Sequence, residues 1–574
     1  MLSSKTKICQ NCKNKFTIQP EDFEFYKKID VPEPTFCPEC RMQRRMAFRK
    51  ESPIFYRRKC KATNKDLISF YHPKSPVKIY DQKYWWSDKW DPMEYGIDCD
   101  FNKTFFEQFY QLIKKVPFPA VFNDNVDKSD YCNACTNIKN CYLVTNSGYG
   151  ENAAYSNRIV KVKDSLDVYI TDNSELCYQD LYCSNSYKIF FSNHCDSCVE
   201  SWFLYDCRNC EHCFGCTNLR HKKYHIFNKP HSKEEYFKKL KEFDLGSYRN
   251  LVEQKKNFLD IYNKSIHKFA NINKSVNISG DEIANSKNCY HCFDIKGCED
   301  LKYVNWAGFG FPLKDAYDCG PGAFLAELFY ESIDAGAESS RNLFANVSYY
   351  SSNIEYSFNL HSCSNLFGCI GLRHKKYCIL NKQYTKEEYK KLVPKIKEHM
   401  NQMPYKDKKG RIYKYGEFFP IEFSPFSYEE SIAQEHFALS KNQTTEEGYP
   451  WFDKLKSEYQ PTIKAKNLPD HINDINKDIL DDIIECDNKG KNCAGSSVFR
   501  LIAQELKFYQ KQNIPLPRLC PSCRHRERIK QRNPLKLWKR KCMKEGCPNT
   551  FQTIYAPDRK EIVYCESCYN KEVS

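Results

Sequence analysis

The chain has 574 residues, of which 41% are hydrophobic, 15% aromatic and 28% charged. That is enough for three or more domains with separate cores, and it excludes a disordered chain. The net charge of +15 is unevenly placed: nine Lys/Arg face one acid over residues 41–61 and eleven face one over 518–544, so +18 sits in two short segments and the rest sums to −3.

The segment MLSSKTKICQNCKNK has no apolar signal core and no apolar run approaches membrane-spanning length, so the sequence predicts a soluble, cytoplasmic protein with no membrane partner. Thirty-two cysteines would suit a disulfide scaffold only in a short secreted chain. Here the CxxC pairs read as metal ligands and the other cysteines as buried thiols acting as small hydrophobes.

In chain order, residues 1–52 read as a zinc ribbon. Cys9, Cys12, Cys37 and Cys40 form two CxxC knuckles that let four thiolates converge on Zn²⁺, and such a metal contributes roughly 10–16 kcal/mol to folding in small domains. The C-terminal stretch ELKFYQKQNIPLPRLCPSCRHRER repeats EFEFYKKIDVPEPTFCPECRMQRR at an offset of 483, placing Cys520 and Cys523 on Cys37 and Cys40. Continuing that match sets Cys542 on Cys60, whereas Cys547, Cys565 and Cys568 fall near Thr63, Asp81 and Tyr84. Residues 53–100 therefore read as a degenerate, metal-free ribbon. Its interior is assigned to Trp85, Trp86 and Trp90 in preference to a base-stacking role for them.

Residues 101–129 carry an amphipathic helix over 103–115, with Phe105, Phe106, Phe109, Leu112 and Ile113 on one face. From 130 to 231 the texture is short runs rich in Asn, Ser, Tyr and Cys. Candidate core positions Cys141, Ala154, Leu166, Cys177, Ile189, Cys198 and Cys210 recur near every dozen residues, a spacing that suits the stacked short strands of a parallel β-solenoid. The stretch FGCTNLRHKKYHIFNKPHSKEEY at 214–236 returns at 367–389, offset 153, so residues 285–384 read as a second copy through Cys289, Leu301, Ala316, Leu328, Leu343, Ile354 and Leu366. The expected fold is thus multidomain and mainly β, with zinc ribbons at both ends flanking a duplicated parallel β-solenoid with capping and linking helices. Capping boxes at Ser232/Glu235 and Thr385/Glu388 start helices. Residues 232–284 read as a helical linker, including a stretch over 248–268, and 385–480 as a capping helix followed by an irregular linker. Residues 481–533 and 534–574 complete the chain as zinc ribbons ligated by Cys486, Cys493, Cys520, Cys523 and by Cys542, Cys547, Cys565, Cys568. Three structural zincs with four thiolates each leave no open coordination position.

The run CRNCEHCFGC resembles an iron–sulfur spacing. At offset 153, however, Cys207 and Cys213 become Leu360 and Leu366, and a cluster ligand cannot be leucine. Packing thiols is the preferred reading, with a fourth metal site as the alternative. The RHKKY boxes read either as phosphate patches or as the charged ends of the two solenoids, with Arg220, His221, Lys222, Lys223, Arg373, His374, Lys375 and Lys376 as secondary contact candidates.

CPxCRxxRR, WWSDKWDP, NLRHKKY, FSPFSYEESIAQEHF and VYCESCYNKEV, in that order over nearly the whole chain, resemble the motifs of a group of large, cysteine-rich, multi-zinc-ribbon bacterial proteins without an assigned activity. The resemblance implies zinc and a cytoplasmic location. The chain departs from that pattern at the second N-terminal ribbon, which keeps only Cys60.

The leading functional expectation is a non-enzymatic, zinc-stabilised scaffold binding nucleic acid, RNA in preference to DNA because no DNA-reading helix pattern is evident. The contact candidates are Arg41, Arg44, Arg45, Arg49, Arg57, Arg58, Arg524, Arg526, Arg528, Arg532 and Arg540, since arginine suits bidentate phosphate contact. A solvated basic face is the plain alternative. A protein–protein assembly scaffold using the solenoid surface is the second functional reading. A solenoid enzyme is the third, but no paired carboxylates or Ser/His/Asp pattern support it.

Overall fold

The computed structural model describes residues 3–455, 458–490 and 493–573. Its centre is a pair of right-angled solenoids built from short parallel strands. In the first, consecutive coils pair residue for residue at a separation of twelve, as in Asn157 with Tyr169 and Tyr169 with Leu181. Every third residue turns left-handed: Tyr131, Ala134, Asn137 and Asn140 have φ of 54°, 54°, 51° and 51°. Each coil is therefore four three-residue sides joined by four corners. Asn, Asp and Gly tolerate this φ best, and Asn recurs at the corners, where Asn140 Nδ2 donates to Asn152 and Asn152 to Asp164.

The residue after each corner points inward, so Cys132, Cys135, Ile138 and Cys141 fill one coil and lie in a single buried cluster with the coils that follow. Its N–H is turned away from the strand ladder and needs an acceptor inside the coil. The inward side chain twelve residues earlier supplies it: Cys177 N donates to Ser165 Oγ at 2.9 Å, Ser192 N to Asp180 Oδ1 at 2.8 Å and Cys213 N to Ser201 Oγ at 3.0 Å. Sulfur fills the same place, since Asn228 N donates to Cys216 Sγ at 3.4 Å while the Cys216 thiol donates to Phe214 O. An interior of Ser, Thr, Cys and Asp thus satisfies amides that a purely aliphatic interior would leave unpaired.

This geometry corrects the list of core positions. Cys141, Cys177 and Ile189 share one inward column with Ser165, Ser201 and Cys213, whereas Cys198 and Cys210 belong to the next. Ala154 and Leu166 face outward, in a column with Tyr142, Tyr178, Phe190, Trp202 and Phe214 that is buried beneath the C-terminal ribbon. In the second solenoid Ala316 pairs with Phe329, not Leu328, and Ile354 with Asn342, not Leu343. There the coil lengthens where Cys298 pairs with Leu313, fifteen residues on.

The solenoids lie side by side and run in opposite directions. Phe122, at the start of the first, stacks on Tyr349 and His361 near the end of the second. His194 and Tyr205, late in the first, bond Glu282 and His267 at the start of the second. Midway, Arg158 sits 3.8 Å over the Trp306 ring.

The helix Phe105–Lys115 is capped by Thr104 and buries the five predicted apolar residues. Both predicted capping boxes open helices, Lys233–Glu242 and Lys386–Gln402. The predicted helix over 248–268 stops at Tyr262, and Ile266–Lys268 instead forms a strand parallel to Ile562–Tyr564. Within the supposed irregular linker, Tyr413, Phe418, Phe419 and Phe423 are buried in the largest core cluster with Phe36, Phe109 and Phe358. That segment is a packed strap joining the N-terminal ribbon to the second solenoid. Among the described residues no helix is long and apolar enough to cross a membrane.

Candidate metal centres

Three groups of four cysteines converge: Cys9, Cys12, Cys37, Cys40; Cys486, Cys493, Cys520, Cys523; and Cys542, Cys547, Cys565, Cys568. In each group all four sulfurs lie within 4.8 Å of one another. The second group closes at Cys486 and Cys493 despite their wide spacing. Each site joins a turn to a second knuckle that starts a helix, with Cys37 capping Pro38–Met46 and Cys520 capping Pro521–Ile529.

The sulfurs are spaced for a metal. Cys12 and Cys37 are 3.7 Å apart, Cys493 and Cys520 3.6 Å, and Cys547 and Cys565 3.9 Å. A tetrahedral ion about 2.3 Å from each sulfur demands edges of about 3.8 Å, whereas a disulfide needs about 2.05 Å. Backbone amides already point at the sulfurs in one pattern: Cys37 N to Cys9 at 3.2 Å, Cys520 N to Cys486 at 3.3 Å and Cys565 N to Cys542 at 3.3 Å. Such donors favour thiolate. Hydrogen bonds from Cys486 and Cys520 bring the Cys493 thiol down to about 6, and those from Cys37 and Cys40 hold Cys9 far below the ordinary thiol range. These residues can hold three metal ions.

The ribbon at residues 53–100, expected from the sequence to be metal-free, keeps the same backbone. Cys60 N bonds Lys65 O as Cys9 N bonds Asn14 O, both at 2.9 Å, and Asp81 N donates to Cys60 Sγ at 3.3 Å as Cys37 N does to Cys9. Thr63 thus stands where Cys12 does. Asp81, in the place of Cys37, caps the short helix Gln82–Trp86 with its carboxylate. Trp85 is fully buried with its indole N–H on Pro117 O, and the Trp90 indole bonds Trp85 O, but Trp86 is 40% exposed and packs at the surface against His361.

Most of the arginine candidates are not at the surface. Arg41 and Arg45, one helical turn apart, both grip Asp318 of the second solenoid at 2.7 and 3.1 Å, while Arg44 bonds Glu331 and Glu417 at 2.8 and 3.1 Å. The C-terminal copy repeats the device. Arg524 and Arg528 grip Asp167 of the first solenoid at 2.8 and 2.7 Å. Arg49 is buried against Glu51, Asp334 and Asn146, and Arg532 against Asp294, Tyr169 and Trp306. These seven arginines clamp ribbons onto solenoids and cannot be nucleic-acid contacts, because each guanidinium is already paired in a dry interior. Of the other four, Arg57 is exposed, and Arg58, Arg526 and Arg540 are half-buried.

The RHKKY boxes divide in the same way. Arg220 pairs with Asp206, which also accepts from Tyr569 of the last ribbon, and Arg373 lies over Trp85, Trp86 and Trp90 while donating to Ser87 O. Each box arginine therefore docks an outer ribbon. His221, Lys222, Lys223, His374 and Lys376 remain exposed and Lys375 is half-buried.

The central cysteines, including Cys207, Cys210, Cys213 and Cys216, are buried in the first solenoid, and at the equivalent positions Leu360 and Leu366 are equally buried in the second. Among the described residues only the three terminal groups bring three or more cysteine, histidine or carboxylate ligand atoms within 4.8 Å of one another. Sequence reasoning missed the acids that hold the arginines, Asp167, Asp318 and Glu331, which carry no local motif. No protein-family model matches the chain, and no curated protein does.

Proposed function

We propose that this chain is a non-enzymatic scaffold stabilised by three zinc ions that binds nucleic acid, RNA in preference to DNA, through the hairpins of its two outer ribbons. Zinc is the metal that four thiolates at tetrahedral spacing select when no position is left open. The observation carrying the partner is the charge. Burying an arginine against a carboxylate removes equal and opposite charges, so the excess of +15 in Lys and Arg over Asp and Glu is left to exposed side chains, and three zinc centres of four thiolates, −2 each, still leave +9. Exposed cations gather on the outer ribbons, at Arg57, Lys59, Lys61 and Lys65 and at Lys539, Lys541 and Lys544. Lysine contacts of this kind follow phosphate without reading sequence.

Fluorescence anisotropy with a labelled single-stranded RNA and the matching DNA, from low to moderate salt, tests the reading. The expected outcome is binding that weakens steeply with salt, with a shallower slope in a Lys539→Gln, Lys541→Gln variant. Absence of binding at low salt overturns it. An assembly scaffold is the second reading, favoured by Phe309 and Phe311, which are 49% and 55% exposed on the lengthened coil of the second solenoid.

A further inference from the structure

The two ends of the seam between the solenoids are closed by equivalent parts built in different ways. At one end, Ile79–Tyr80 of the ribbon at residues 53–100 runs parallel to Phe118–Pro119, the strand that leads into the first solenoid. At the other, Ile562–Tyr564 of the last ribbon runs parallel to Ile266–Lys268, the strand that leads into the second. The first cover is held onto the second solenoid by its indoles: Trp85 is buried against His361, Trp90 bonds back to it and Arg373 lies over all three indoles.

The last ribbon is packed through its hairpin, where Ile554, Tyr555 and Val563 are buried against Phe293 with Phe269 and Phe551 beside them. Its turn and its helix Glu566–Val573 meet through Cys542, Cys547, Cys565 and Cys568 and through one exposed pair, Lys544 with Glu572; Cys547 and Cys568 are only half-buried. By contrast, Cys486, Cys493, Cys520 and Cys523 are all sealed inside, and the first ribbon, although Cys12 is exposed, is gripped through Arg41, Arg44 and Arg45. Part of the last ribbon's hold on the seam runs through the same helix as its metal ligands, where Tyr569 bonds Asp206 and Asn218 and Glu566 bonds Lys268 at 2.7 Å, and part through the hairpin, where Thr553 donates to Phe269 O. Beneath it lie His267, Tyr205 and Phe269.

We infer that the Cys542, Cys547, Cys565, Cys568 centre is a releasable metal site whose occupancy decides whether the last ribbon covers the strand Ile266–Lys268 at this end of the seam. The other two centres hold the fold, and this one gates a strand edge and the aromatic surface around it. The inference rests on the reading that the cysteine groups carry metal. Loss of the ion leaves four thiols that no longer hold turn to helix, so the three-residue strand pair loses the helix's bonds to Asp206, Asn218 and Lys268 and keeps only the packing of the hairpin, and so short a pair is marginal.

The test is stepwise removal of metal from the full-length protein with EDTA, with native mass spectrometry counting the ions and hydrogen exchange reading each segment. The expected two-metal species shows at least ~10-fold faster exchange over 266–269 and 562–573, with 20–46 and 503–529 unchanged. Cys568→Ser, prepared without chelator, is expected to give the same pattern. Uniform loss of protection in either experiment overturns the inference, as does a two-metal species that keeps 266–269 protected. Protein that carries no metal from the outset fails the underlying reading instead.

Discussion

Asp167→Asn is the sharpest perturbation of the arginine clamps. The wild-type carboxylate is fully buried, 2.7 Å from Arg528 and 2.8 Å from Arg524, and Arg528 reaches on to Tyr155 O at 3.1 Å. Asparagine keeps the shape but leaves two guanidinium groups in a dry interior with only Glu505, 3.1 Å from Arg524, to balance them. Removing one partner of a buried pair costs about 3–5 kcal/mol. For a unit of the size of one ribbon and one solenoid, roughly 2–4 °C is lost per kcal/mol, so the corresponding transition should fall by about 6–20 °C. Differential scanning calorimetry reads this, with exchange over 503–529 locating it. Lys163→Ala, which breaks an exposed pair with Glu151 at 3.6 Å, is the control and should cost under about 1 kcal/mol. If both variants shift the transition equally, the buried pairs do not hold the ribbon to the solenoid.

Two further outcomes follow from the same geometry. Because Cys60 still sits in an intact knuckle, the variant Thr63→Cys, Asp81→Cys, Tyr84→Cys should bind a fourth metal ion, read by native mass spectrometry; a folded variant that stays at three shows that the ribbon has lost the geometry as well as the ligands. His267 is buried against Tyr205 and Tyr555, and burial brings its pKa down to about 4. The folded state therefore holds this imidazole neutral where the unfolded chain would protonate it. Its stabilisation is complete above about 6.5 and is lost as pH falls toward 4, at most about 3 kcal/mol. His267→Gln should flatten that acid limb in pH-dependent denaturation, and an unchanged limb assigns the loss to other groups.

The sequence showed the metal ligands because a CxxC turn is a local object and the offset of 483 displays it twice. It showed the solenoid because successive coils of the first copy all have the same length, twelve residues. It hid the number of sides. The spacing of Cys132, Cys135, Ile138 and Cys141 by three already carried that period, but a thiol, a serine and a valine serve equally inside a coil, so no single residue type marks the columns. The arginines misled for a different reason. A basic run looks the same whether it faces water or a carboxylate, and the acid that decides, Asp318 for Arg41, lies 277 residues away with nothing around it to announce the pairing. Repetition offered the missing signal: Arg41 and Arg45 recur as Arg524 and Arg528 with spacing kept at four, a helical spacing suited to one shared partner. The outer ribbons divided likewise, since the loss of three ligands at Thr63, Asp81 and Tyr84 was visible while the indole cluster that docks that ribbon needed Arg373 from the far end of the second solenoid.

The central claim is that three four-cysteine centres carry zinc and staple the ribbons to a duplicated solenoid whose other cysteines are packing groups. Metal content of the purified full-length protein by mass spectrometry tests it most directly. Three zinc ions per chain and no iron is the predicted result, and iron, or five or more zinc ions, would contradict it.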